Sequence, residues 1–363
     1  MENKFIKFIK STTAKILSSL FILALVGGYF LFPDFYKEQA KKVVSYYWVY
    51  KGDKYYKNKE PQKAIYSYQK GLEYYPKHFK AQYNLANIYV SYEDYYSALS
   101  AYEKALQIKP DSINARIDYA IVLAEATFNY DKAIEEYDKA IKLSPKWVYI
   151  PFIVNSKNTY KYNRGVAFYN LGLAWRGKSL LMGDKNFDSR KFLNNAAESY
   201  SNALKIKQNY QTFYNLGIVY HILKYPYMAG YNYCMAIEKA PMNYEAHYNL
   251  GILLREYGQY NASLEEFHKA SLILDIYGDA SKNQYIYDIL NDVTRRIVAK
   301  GNHDALVDAL KLQDKKVENH LVYKGGRAYL DENYERTMYK YFKTCALREH
   351  FVKNKDNVDI QWK

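Results

Sequence analysis

The sequence predicts an all-α fold: a solenoid of antiparallel helix pairs behind an N-terminal transmembrane helix. Three observations carry this reading. A motif of alanine, aromatic residue and proline returns at steps of 34 and 35 residues. Proline and glycine are sparse, at 8 and 16 of 363 residues, which favours long helices over turn-rich sheets. The run from Ile16 to Phe32 contains no charged side chain.

Composition bounds the function classes. Hydrophobic residues make up 49% of the chain, enough to bury a core. The 52 Lys+Arg against 38 Asp+Glu give a formal charge of +14. Most of these cations are lysine, and lysine, asparagine, isoleucine and the 44 tyrosines share A/T-rich codons, so base composition accounts for the balance. No Arg-rich block accompanies it, and no nucleic-acid partner is expected. Cys234 and Cys345 form no CxxC and no metal spacing; a disulfide between them is left open.

Residues 1–15 form a short basic tail with Lys4, Lys7, Lys10 and Lys15. Residues 16–32 follow, spanning about 25 Å as helix, the short end of what a bilayer core requires. Pro33 and Asp34 end the run. Val26-Gly27-Gly28 matches a small-x-small cleavage site poorly, and large apolar residues continue beyond it. The reading is therefore a single-pass signal anchor, with a cleaved signal peptide as the alternative. The basic tail favours an exported C-terminal region, although Lys37, Lys41 and Lys42 in the juxtamembrane linker, 33–44, weaken the bias.

The repeats then begin. Ala64, Tyr68, Gly71 and Pro76 recur as Ala98, Tyr102, Ala105 and Pro110, and again as Ala133, Tyr137, Ala140 and Pro145. Further on come Ala196, Tyr200 and Ala203; Ala229, Tyr233, Ala236 and Pro241; and Ser263, Phe267 and Ala270. Each set has a partner upstream: Trp48, Gly52 and Tyr55; Leu85, Ala86 and Tyr89; Tyr119, Ala120 and Leu123; Leu171, Gly172 and Trp175; Leu216, Gly217 and Tyr220; Leu250, Gly251 and Leu254. Small residues let helix axes approach to about 8–10 Å, aromatics fill the space between, and proline ends a helix it cannot continue. Pro61 and Pro226 suit the first position of second helices.

This pattern closely resembles the tetratricopeptide repeat (TPR) family over about residues 45–275. The resemblance implies a right-handed superhelix of helix pairs with a concave inner face lined by first helices. Repeats one to three are expected over 45–147 and four to six over 165–275, separated by an insertion at 148–164. A second insertion lies near Gly177 to Arg190, where a binding element or a surface loop is expected. Residues 276–363 lose the signature but keep helical patterning, as at Tyr285–Leu290 and Ala305–Leu310, and are expected to form a helical cap, with a degenerate repeat over 321–350.

One quartet recurs on the first helices: Tyr83-Asn84-Leu85-Ala86, Tyr169-Asn170-Leu171-Gly172, Tyr214-Asn215-Leu216-Gly217 and Tyr248-Asn249-Leu250-Gly251. The resemblance places these asparagines in the groove, where an amide both donates to and accepts from a peptide backbone. Asn87 and Arg255 join them as groove candidates. Tyr50 and Asp118 interrupt the ladder in repeats one and three. The carboxylate clamp of chaperone-binding relatives is not matched beyond Lys80, Asn84 and Asn87.

Catalytic signals are thin. The seven histidines form no HxxxH, and no P-loop, GxGxxG or GxSxG occurs. His221 and His247 fall on first helices beside the expected groove; Glu135-Glu136 and Glu265-Glu266 fall on second helices and read as solvated charge. The sequon at Asn261 lies at a helix start. No enzyme activity, metal, cofactor or small-molecule substrate is expected. The expected function is a membrane-anchored scaffold or receptor that binds extended peptide segments. The alternative is an accessory subunit of a cell-envelope assembly, secretion or glycan-processing complex, docking by its outer face or C-terminal region.

Overall fold

The computed structural model describes residues 33–143, 155–183, 187–277, 280–299, 321–324, 327–330 and 332–358. The predicted membrane segment, the end of repeat three from residue 144, residues 148–154 of the first insertion and the amphipathic stretch Ala305–Leu310 lie outside them. Among the described residues no helix is long and apolar enough to cross a membrane.

Helices follow one another in pairs. They are α1 (Pro33–Lys57), α2 (Pro61–Tyr74), α3 (Phe79–Ser91), α4 (Tyr95–Ile108), α5 (Ile113–Glu125), α6 (Tyr130–Lys142), α7 (Asn155–Met182), α8 (Phe187–Ile206), α9 (Tyr210–Ile222), α10 (Pro226–Lys239), α11 (Tyr244–Glu256), α12 (Tyr260–Tyr277) and α13 (Ala280–Ala299). A hairpin of β1 (Leu321–Lys324) and β2 (Arg327–Leu330) follows, then α14 (Glu332–Phe342) and α15 (Arg348–Asn354). The strands are antiparallel, with Leu321 opposite Leu330 and Lys324 opposite Arg327. The chain divides into two compact bodies, one up to Val122 and one from Leu123.

Local chemistry sets the helix ends. Asp94, Asn129, Asn209 and Asn243 cap α4, α6, α9 and α11 by accepting from Ser97, Lys132, Thr212 and Glu245 backbone N–H groups. Pro61 and Pro226 open α2 and α10, as their missing N–H allows. Pro76, Pro110 and Pro241 each stand two residues past a helix end. The turn inside most pairs places one residue in the left-handed region: Lys59, Glu93, Phe128, Lys224 and Gly258.

The pairs share one packing device. Tyr68, Tyr200, Tyr233 and Phe267 are fully buried on second helices, each packed against a glycine of its own first helix. A Cβ at Gly52, Gly172, Gly217 or Gly251 would stand 2.6–2.9 Å from that ring. In repeat two Ala86 replaces the glycine and Tyr102 is still buried. Ala64, Ala98, Ala133, Ala196 and Ala229 are wholly inaccessible, so helix axes approach closely all along the array. Gly217→Ala should therefore cost about 1–3 kcal/mol in urea unfolding, through displacement of Tyr233; an unchanged midpoint would refute this account of the packing.

Three places bear on the sequence expectations, and at the first insertion an extended helix is among them. Both insertions extend helices: α7 starts at Asn155 and runs on through Gly177 to Met182, and α8 starts at Phe187. The segment expected as a degenerate repeat begins with a two-stranded hairpin rather than a helix. Glu136 and Glu266, read as solvated, are buried at 6% and 0% exposure, whereas Glu135 is exposed as expected.

Candidate peptide-binding face

In the first body the groove residues bond mainly to one another. Asn84 Nδ2 donates to Asp53 Oδ1 and to the Tyr68 hydroxyl, both at 3.0 Å, and that hydroxyl donates to Asp53 Oδ1 at 2.9 Å. Lys80 pairs with the same carboxylate. The Tyr102 hydroxyl donates to Asn87 Oδ1, and the Tyr83 hydroxyl to Asp118. Burial raises the Tyr83 phenol, and the Asp118 carboxylate raises it further. Burial likewise raises the Asp118 carboxyl, against the bond from Tyr83. Asp53, Tyr56, Lys57, Tyr68, Lys80, Asn84 and Asn87 line a depression of about 200 Å³.

In the second body a rung repeats between successive first helices. Asn215 Nδ2 donates to the Tyr169 hydroxyl at 3.2 Å, and Asn249 Nδ2 to the Tyr214 hydroxyl at 2.9 Å. Each also donates to the carbonyl four residues back, Gln211 at 2.8 Å and Glu245 at 2.9 Å. Asn170 does the same to Val166 at 3.1 Å. Both amide hydrogens of Asn215 and Asn249 are thus spent within the fold. What remains is the carbonyl: Oδ1 of Asn170 and of Asn249 has no donor among the described residues, whereas Oδ1 of Asn215 accepts from Arg176 at 2.6 Å. Asn215 is buried; Asn84, Asn170 and Asn249 are half-buried.

The tyrosines are walls rather than free phenols. Tyr169 packs on Tyr200, Tyr214 stacks on Tyr210, and Tyr248 lies between Phe267 and Tyr285. Burial, with Glu245 nearby, pushes the Tyr214 phenol up to about 12, so these hydroxyls stay protonated at any ordinary pH. Arg255 Nη1 stands 3.9 Å from Asp292 on α13.

Neither histidine expected beside the groove is free. His221 sits between the Tyr233 hydroxyl at 3.4 Å and Glu256 at 3.3 Å, and burial lowers its pKa against the pull of Glu256. His247 is wholly buried, turned toward the second helix, with Nδ1 on Glu266 at 2.5 Å and Nε2 on the Pro241 carbonyl at 3.3 Å.

That side carries a feature the sequence did not reveal. Glu266 Oε1 accepts from Lys269 at 2.9 Å and from the Ala346 N–H at 2.8 Å, while Lys269 also donates to the Thr344 carbonyl at 3.2 Å. Burial alone would raise the Glu266 carboxyl, but Lys269 and His247 outweigh it and hold it near 2. Cys234 on α10 and Cys345 form a disulfide, with Cα atoms 5.4 Å apart and 111 residues between them. Phe351 of α15 is fully buried against Gly230, where a Cβ would meet its ring at 2.1 Å. The C-terminal segment is therefore strapped across the second helices of repeats five and six.

Arg176 was also missed, although the repeat arithmetic contains it. It stands seven residues after Tyr169, as His221 does after Tyr214 and Arg255 after Tyr248. Seven residues is two helical turns, so all three share the tyrosine face.

Helix pairs stacked through a small-residue and aromatic core, with side chains presented along the first helices, define a helical-repeat scaffold for protein interaction. The family follows from the repeats themselves. Residues 45–78 and 79–112 each match a tetratricopeptide repeat model, so the chain carries tetratricopeptide repeats there. No curated protein matches the sequence. Among solved structures, the chain is similar to MamA at 20% identity, covering 54% of this chain and 91% of that one, with a TM-score of 0.43. It is similar to PilW, described as a type IV pilus biogenesis factor, at 17% identity over 74% of this chain and 98% of that one, with a TM-score of 0.42. It is also similar to YrrB, described as a TPR protein with an unusual peptide-binding site, at 17% identity over 61% and 97%, with a TM-score of 0.41. At these scores the likeness adds no functional argument.

Proposed function

We propose that this protein is a membrane-anchored scaffold that binds extended segments of partner proteins along its tyrosine–asparagine faces, non-catalytically. The observation that carries this reading is the half-buried, unoccupied Oδ1 of Asn170 and Asn249 beside walls of Tyr169 and Tyr248. A fixed carbonyl acceptor accepts a backbone N–H whatever the side chain, and the rings cover apolar surface. The charge-free run 16–32 supplies the anchor. The Cys234–Cys345 disulfide supports an extracytoplasmic solenoid, since disulfides persist in oxidising compartments.

The test presents a degenerate library of short peptides to the full-length protein. Asn170→Ala with Asn249→Ala should reduce retained peptide by about tenfold, as loss of two hydrogen-bond acceptors implies, while helicity is unchanged. Undiminished retention would refute the groove. The second reading, an accessory subunit docked through its C-terminal region, draws on the exposed Tyr339, Leu347 and Val352 of the strap. It predicts that polar replacements at these three abolish co-purification of a partner while the asparagine variants are silent.

A further inference from the structure

The first repeat contains its own model of a carboxylate site. There the Asp53 carboxylate is held by the Tyr68 hydroxyl from the second helix, by the Asn84 amide from the next repeat, and by Lys80. Asp53 follows Gly52, the glycine beneath the Tyr68 ring. The same register in repeat two holds Asn87, which accepts from Tyr102.

In repeat four that register holds Leu173, directly after Gly172. The surroundings of a carboxylate site are otherwise present. Tyr200 packs on Gly172, as Tyr68 does on Gly52. Its hydroxyl is buried and has no hydrogen-bond partner among the described residues. Arg176, one turn on, is half-buried; its one hydrogen bond among the described residues is to the neutral Asn215 Oδ1, and no carboxylate there pairs with it. Its charge is felt at the phenols of Tyr169, Tyr200 and Tyr214, which places it among them. A half-buried guanidinium without a carboxylate beside an orphaned hydroxyl is costly to maintain unless a ligand completes it.

Arg176 opens into a pocket of about 310 Å³. Phe128, Tyr130, Leu173 and Leu180 form its apolar walls, and Asn170, with its free carbonyl, forms one side. Tyr130 packs against Gly177, which keeps the wall beside Arg176 in place. Glu125, which is exposed, is the carboxylate among the lining residues and is not paired with Arg176.

We propose that this pocket is a carboxylate-reading subsite, in which Arg176 receives an acidic group of an extended peptide segment while a neighbouring apolar side chain fills the cavity. The inference rests on the groove reading and names the chemical class of its ligand. Arginine forms paired, charge-assisted hydrogen bonds with a carboxylate, which gives both direction and discrimination against the isosteric amide. The carboxylate belongs to an aspartate or glutamate side chain or to a chain end.

Full-length protein is exposed to a degenerate library of short peptides in free-acid and C-amidated forms, and retained peptides are sequenced. Wild type should enrich Asp and Glu about tenfold at one position next to an apolar residue, the factor that a charge-assisted bond supplies. Enrichment in both forms identifies a side-chain carboxylate; enrichment confined to the free-acid form identifies a chain end. Arg176→Gln should remove the acidic preference with helicity unchanged, and Arg176→Lys should keep part of it. No acidic enrichment in wild type, or equal enrichment in Arg176→Gln, overturns the subsite. The asparagine variants separate the two readings. If they leave total retention untouched while Arg176→Gln abolishes the acidic preference, the subsite stands and the asparagine groove falls. If no peptide is retained at all, both fall.

Discussion

Cys345→Ser is expected to lower the unfolding free energy by about 3–5 kcal/mol, one of the two largest single effects in this protein. The Cys234–Cys345 bond closes 111 residues of chain, and in the loop-closure account a loop of that length restricts the unfolded ensemble strongly. Both ends also lie in folded structure: Cys234 is buried on α10, and Cys345 lies between α14 and α15. Urea unfolding of oxidised and reduced protein checks the expectation. Reduction should shift the wild-type midpoint to that of Cys345→Ser, Cys234→Ser should match it, and the double variant should lose nothing further. Identical wild-type curves with and without reductant would exclude a stabilising disulfide.

Glu266→Ala is expected to cost about 3–5 kcal/mol, because it empties a wholly buried site and leaves the buried Lys269 with Glu265 alone as ion partner. The same change removes the acceptor of the Ala346 N–H and the partner of His247. The strap should loosen, and limited proteolysis should then cut near residues 343–347 in the variant before the solenoid unfolds. Glu266→Leu, which keeps volume, separates charge from cavity: if it matches wild type, the ion cluster is not what holds the strap. The pH dependence has a definite sign. Folding lowers the Glu266 carboxyl from 4.5 to about 2, so its contribution is fully present above 4.5 and is lost as pH falls toward 2. The shift corresponds to about 3 kcal/mol of acid-labile stability. Glu266→Gln should lack that segment of the acid-unfolding curve.

These effects bear on the function because the strap lies across second helices while the tyrosine–asparagine rungs lie along first helices. Repeats five and six supply both Asn249, with a free acceptor, and the anchor points Gly230, Cys234, Glu266 and Lys269. A partner that engages Asn249 therefore meets a pair of repeats stiffened from behind by the chain's own C-terminal segment. Fixing that segment before binding reduces the ordering cost of association.

The groove reading gains and loses by the same geometry. The sequence placed asparagine at one register of four first helices, but an amide on a helix face has nearby competitors for its hydrogens. The carbonyl four residues back and the tyrosine of the preceding repeat take them at Asn215 and Asn249. The ladder is thus partly a device for holding neighbouring repeats in register, and in the second body only the Asn170 and Asn249 carbonyls are left without a donor among the described residues. Asp118, which seemed to break the ladder, keeps the rung by accepting from Tyr83.

The sequence by itself determined the helix pairs, their ends and their packing. The small residue beneath each aromatic ring, the alanines at the crossings and the prolines past the helix ends all recur within one repeat length, so a short-range period reports them. Only the tertiary structure decided the fate of Glu266, Lys269, His247 and the two cysteines. Glu266, Lys269 and Cys234 meet partners 75–111 residues away, in a segment that carries no repeat, and His247 is buried against Glu266 beneath it. A carboxylate on a second helix reads as solvated until another part of the chain lies over it, and two isolated cysteines read as unrelated until folding brings their Cα atoms to 5.4 Å. Arg176 stands between the two cases. Its register was visible in the repeat, but its missing carboxylate appeared only once Leu173, Tyr200 and Asn215 were in place around it.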